Sequence, residues 1–225
     1  MGRFNRLFLS ALAITLLLLC GAPAFADIQL YTQLPTWDGN MWASQNDAGG
    51  QGNFATVYDN FKIYSTTTSY YLTDVEWAGG YFNPGPPGSI TGWTISIYGD
   101  NAGQPGGALW SQFFSSNYAG YMESCTFPNG MCGYDMDNIV GGLLLHPNTT
   151  YWLSVVPDMA FPPQWGWGSG TGGDGQAYQN FFGTLSPVGT DFAMNIQGVT
   201  PEPGTFILLG TGFLGLFGTL RRRFF

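Results

Sequence analysis

Positive charge is nearly missing from the middle of this chain. Residues 27–200 hold one basic side chain, Lys62, against thirteen acids, a formal balance of −12. Binding a phosphate backbone needs clustered Lys and Arg, so nucleic acid is excluded as a partner. The same shortage leaves nothing to clamp a transferring phosphoryl group. Histidine is as scarce. His146 is the only one, and it lies in a Leu-His-Pro-Asn stretch that reads as a turn and not as a base or ligand. No serine stands in a Gly-x-Ser-x-Gly elbow. Without such a nucleophile and its base, triad hydrolysis has no machinery, and the chain reads as a non-enzyme. Paired carboxylates are the one catalytic device left open.

Cysteine is also sparse, with three in the chain. Cys20 lies in the N-terminal apolar run. The residue before it is Leu19, where a lipoprotein signal wants a small side chain. Cys125 and Cys132 flank Pro128-Asn129-Gly130. An even pair around a turn, in an exported chain, reads as a disulfide closing a hairpin tip.

What is present divides into two ends and a body. Residues 1–26 read as a cleaved signal peptide: Arg3 and Arg6, then the apolar run Leu7–Leu19, then Ala24-Phe25-Ala26, with Asp27 as the mature N-terminus. At the other end, residues 205–220 form an apolar stretch of 16. At about 1.5 Å per residue it spans roughly 24 Å, short for a hydrocarbon core of about 30 Å. Snorkelling arginine stems extend it. Arg221, Arg222 and Arg223 then hold the cytoplasmic side, with the body outside.

The body, residues 27–200, contains all eight Trp and all twelve Tyr of the chain. Chains that stay disordered lack aromatics, so this is a folded domain. Aromatic and β-branched runs punctuated by Gly and Pro predict an all-β fold. Expected strands cover 28–34, 54–64, 71–77, 91–98, 108–115, 138–145, 150–156, 176–185 and 190–197. Residues 37–52 and 100–107 read as loops, and 83–88 as a Pro/Gly turn. Alternation puts Trp93, Ile95 and Ile97 on one face. It puts Leu72, Asp74 and Glu76 together on another, the two acids as solvated residues. Short strands at this spacing predict a single β-sandwich of jelly-roll type.

Two binding readings follow from the loops. Trp165-Gly-Trp167, in a Pro/Gly-rich segment, sets two indoles near each other. They either cap the core or stack on the apolar face of a sugar. Asp100, Asn101 and Asp174 lie in Gly-rich loops, and oxygen ligands suit a structural Ca²⁺. Asp and Asn in turns also bond their own backbone, which is the plainer reading.

The tail carries a resemblance. Pro201-Glu202-Pro203, an apolar stretch and a terminal arginine cluster resemble the PEP-CTERM sorting signal of Gram-negative bacteria. That resemblance implies an address read by an exosortase, a membrane transpeptidase, with the helix held in the membrane before processing. The segments YDNF, WTISIYGDNAGQPG, TTYWLSVVPD and PPQWGWGSGTGGDG are similar to sandwich bodies found ahead of such tails. In outline these look like carbohydrate-binding modules. The expectation is an exported, non-enzymatic protein of the cell envelope or extracellular matrix, adhesive or glycan-binding, with exopolysaccharide as a candidate partner. A carbohydrate-active enzyme using acidic residues is the alternative.

Overall fold

The computed structural model describes residues 27–65, 67–81, 90–115, 130–137 and 139–201. The signal-peptide, 205–220 helix, Glu202, Pro203, arginine-cluster and Cys125 expectations lie outside these residues. The described residues contain strands and turns and no helix.

In chain order the strands are β1 (Ile28–Pro35), β2 (Met41–Ala43), β3 (Gln45–Asp47), β4 (Gly52–Lys62), β5 (Tyr70–Tyr81), β6 (Gly92–Asp100), β7 (Pro105–Ser115) and β8 (Met131–Met136). They continue with β9 (Leu144–Leu145), β10 (Thr150–Asp158), β11 (Trp165–Thr171), β12 (Ala177–Phe181), β13 (Thr184–Pro187), β14 (Asp191–Phe192) and β15 (Met194–Val199). One sheet runs β14-β11-β1-β15-β5-β8, with β2 on β11 and β9 on β5. The other runs β13-β12-β4-β3-β10-β6-β7, with β4 also pairing β10 directly.

The sheets face each other across one core. Val57 and Phe61 of β4, Trp93, Ile95 and Ile97 of β6, and Leu153 of β10 come from one side. Val75 and Trp77 of β5, Met136 of β8 and Ile196 of β15 come from the other. Ring pairs bridge the layers: Trp93 meets Trp165 at 5.2 Å, and Tyr31 meets Phe61 at 6.1 Å. Such pairs add to the area that each aromatic buries.

Several expected boundaries shift for identifiable reasons. The 37–52 loop contains β2 and β3. The expected strand 138–145 keeps only Leu144 and Leu145. Gly141 takes φ +74°, and the backbone of Gly142 lies against the Leu72 carbonyl, so this stretch turns instead of extending. Residues 176–185 form part of a hairpin. Phe182 and Gly183 both take positive φ and reverse the chain between β12 and β13. The segment around Trp165 is a strand, β11, and not a loop.

Candidate functional site

The outer face of the β1-β15-β5-β8 layers is where polar side chains converge. A β-bulge decides which ones. On β5, Asp74 pairs with Gln197 and Leu72 pairs with Gly198, so Thr73 is an extra residue. The extra residue inverts the side-chain parity. Leu72 therefore joins Val75 and Trp77 in the core, while Asp74 and Glu76 point the other way. The expectation that Leu72 shares a face with the two acids fails for this reason.

Register then assembles the site. Glu76 lies opposite Asn195 of β15 and Asp135 of β8, and Thr32 of β1 lies opposite Asn195. Carboxylate oxygens of Asp74, Glu76 and Asp135 all fall within 4.8 Å of one another. Glu76 Oε1 accepts hydrogen bonds from Asn195 Nδ2 at 3.0 Å and Gln197 Nε2 at 2.8 Å. Asp74 is only 7% exposed, so it is not the solvated residue its pattern predicts. Burial pushes its pKa up to about 8, helped by the negative charges of Asp135, Glu76, Asp27 and Asp137.

Beside this cluster lies a groove of about 780 Å³, lined by Gln29, Thr32, Trp37, Glu76, Asp135 and Asn195 among others. That volume is within the roughly 300–1,000 Å³ typical of small-molecule sites. Trp37 forms a wall. It is half-buried, packs with Met41 onto Ala78, Met131 and Ala193, and takes φ 55°, a conformation bulky residues rarely adopt.

Asp38 sets the loop that presents Trp37. Its Oδ1 accepts from Thr36 Oγ1 at 2.8 Å, Asn40 N–H at 3.0 Å and Ser169 Oγ at 3.0 Å. Its Oδ2 accepts from Asn40 Nδ2 at 2.7 Å. The Asn40 backbone N–H and then the Thr36 hydroxyl lower the Asp38 pKa to about 2. The sequence signal for this loop is Thr-Trp-Asp-Gly-Asn, an Asx turn with an aromatic at its tip.

The other sequence candidates lie elsewhere. Trp165 and Trp167 are both fully buried, with Nε1 of Trp167 donating to the Ala193 carbonyl at 2.7 Å. They are core residues with no face open to a sugar. Asp100 accepts from Trp152 Nε1 at 3.0 Å and Gly103 N–H at 3.2 Å, and Asn101 closes a turn with Gln104. Asp174 accepts from Gln176 N–H at 3.0 Å and from Asn60 Nδ2. The bonds from Gly103, Gln104 and Gln176 are local to their turns, and those from Trp152 and Asn60 tie Asp100 and Asp174 to other strands. Among the described residues, the acids whose oxygens come within 4.8 Å of one another as a group of three are those on β5 and β8. Asp135 is the member that sequence reading did not single out, because only register brings it opposite Glu76. Cys132 is buried on β8.

Comparisons with known proteins bear on the tail. Residues 199–223 match the family model of the PEP-CTERM protein-sorting motif. This stretch includes Pro201-Glu202-Pro203 and Arg221–Arg223. The motif marks an exported protein with a C-terminal sorting signal. No curated protein matches the chain in sequence. Among solved structures, the chain aligns with the cysteine protease and lectin-like domains of Cwp84, a surface layer associated protein of Clostridium difficile. Identity is 11%, the TM-score is 0.39, and the alignment covers 73% of this chain. The chain spans 37% of that chain's length.

Proposed function

We propose that this chain, which carries a PEP-CTERM sorting motif, is a non-enzymatic glycan-binding protein of the cell envelope or extracellular matrix, processed at its tail by an exosortase. The groove beside Trp37 is the observation that carries the binding half. Its lining of amides, a hydroxyl and carboxylates suits a polyhydroxylated ligand, and the indole offers a stacking surface. Exopolysaccharide is the partner class with both features.

The strand order supports a jelly-roll reading of the body. Eight of the strands, β1, β4, β5, β6, β7, β8, β10 and β15, fall as β1-β15-β5-β8 and β4-β10-β6-β7. That is the first-eighth-third-sixth and second-seventh-fourth-fifth arrangement of two interleaved Greek keys, an architecture shared by lectin domains. The pairing of Cys125 with Cys132 belongs to the same reading and stabilises the connection into β8.

Retention of the full-length chain on immobilised surface polysaccharides tests the binding half. Wild type is retained and Trp37→Ala is not. Equal retention of both, or none by wild type, overturns it. Mass spectrometry of the mature C-terminus tests the sorting half. An inner-membrane protein still ending in Phe225 overturns processing.

A second reading, a carbohydrate-active enzyme, is favoured by Glu76 and Asp135 both lining the groove. It ranks behind because Glu76 and Asp135 lie side by side on neighbouring strands of one sheet, whereas the two carboxylates of a glycosidase flank the bond they break. New reducing ends on incubation with polysaccharides would establish it.

A further inference from the structure

We propose that Asp74, Glu76 and Asp135 form a binding site for a divalent cation, with Ca²⁺ as the matching ion. The argument begins with charge supply. Three carboxylates share a space in which their oxygens are within 4.8 Å of one another. Side chains that could neutralise them are missing: the body's only Lys or Arg is Lys62, which ends β4 in the opposite sheet and lies 5.6 Å over the Tyr64 ring. The cluster therefore takes its counter-charge from protons or from an ion that enters.

A second observation points to the ion. Asp74 is nine-tenths buried, and its Oδ1 is shielded from solvent with no hydrogen-bond partner among the described residues. Buried oxygens are ordinarily paired, and an orphan that belongs to a carboxylate is costly. Asn195, across from Glu76, likewise holds a buried Oδ1 with no partner among the described residues. Both residues flank Glu76, Asp74 along β5 and Asn195 across on β15. The donor set is oxygen only, with no imidazole or thiolate in the cluster. Hard, oxygen-rich sets of this kind select Ca²⁺ over transition metals. Glu76 is already oriented by Asn195 and Gln197, the arrangement expected of a ligand fixed by its neighbours. The site stands whether or not the groove binds glycan.

Titration calorimetry with CaCl₂ on the full-length, detergent-solubilised, chelator-treated chain tests this. One Ca²⁺ binds per chain, with a Kd near the roughly 0.1–1 mM range of extracellular modules. Glu76→Gln and Asp135→Asn each weaken binding by about tenfold or more. Asp100→Asn, in the turn at the end of β6, binds as wild type does. Asp74→Asn exchanges the buried carboxyl for an uncharged amide of the same shape, and an unfolding midpoint in chelator no lower than that of wild type shows that its loss of Ca²⁺ binding is not a failure to fold. No binding at about 10 mM, tenfold above the expected range, overturns the proposal. So does wild-type affinity in Glu76→Gln and Asp135→Asn, or loss confined to Asp100→Asn.

Discussion

Trp77 of β5 and Trp93 of β6 meet edge to face between the two sheets, with ring centroids 4.9 Å apart. Tyr134 stacks on Trp77 at 5.8 Å and leans on Trp93 at 4.8 Å, and Trp165 closes the set. These rings come from both sheets, β5, β8 and β11 on one side and β6 on the other, so the cluster forms only when the sheets have docked. Trp93 is 3% exposed. Trp93→Ala should therefore leave a cavity and cost about 3–5 kcal/mol. A lowered urea midpoint with an unchanged m-value checks this.

Much of that core is legible in the sequence. Trp93, Ile95 and Ile97 alternate cleanly and all three are buried. The site is less legible, and β5 shows why. Alternation is a local signal, whereas the bulge at Thr73 is set by pairing with β15, more than a hundred residues away. Asp74 and Glu76 are visible as a pair, but their burial and their meeting with Asp135 depend on that pairing. Trp165 and Trp167 fail as ligand residues for a related reason. Flanking glycines suggest a loop, yet here they let β11 approach its neighbours closely. A Cβ on Gly79 of β5 would strike the Trp165 ring.

That close approach yields a second prediction. Gly79→Ala forces either Trp165 or the β5 backbone to move, and overpacking of this sort costs about 1–3 kcal/mol. Gly107 of β7 is exposed, and a Cβ added there would meet nothing within 4 Å. Gly107→Ala should stay within about 0.5 kcal/mol of wild type. Thermal unfolding of the two variants side by side separates packing from a general intolerance of alanine.

Asp74 makes metal-free stability depend on pH. Its pKa rises from 3.8 to about 8 in the fold, because burial and the facing Asp135, Glu76, Asp27 and Asp137 disfavour its charge. Below about pH 4 the group is protonated in both states and the stability it contributes is fully present. Between about 4 and about 8 the unfolded chain releases the proton while the folded chain keeps it. Stability therefore falls with rising pH across that window and levels off above it. Denaturation in chelator at several pH values should show the decline, and Asp74→Asn should flatten it.

Asp38 offers a test of pre-organisation in the groove. Four side-chain hydrogen bonds tie this exposed carboxylate to Thr36, Asn40 and Ser169, and so fix the loop that carries Trp37. Asp38→Ala frees the loop without touching the core. Re-ordering the Trp37 side chain on binding then costs roughly 0.5–1.5 kcal/mol, or about two- to tenfold in polysaccharide affinity. Asp38→Asn keeps an oxygen acceptor and should lose less. Affinity electrophoresis of the three proteins in polysaccharide gels checks the order wild type, Asp38→Asn, Asp38→Ala. If Asp38→Ala migrates like wild type, the Asp38 hydrogen bonds do not pre-organise Trp37 for binding.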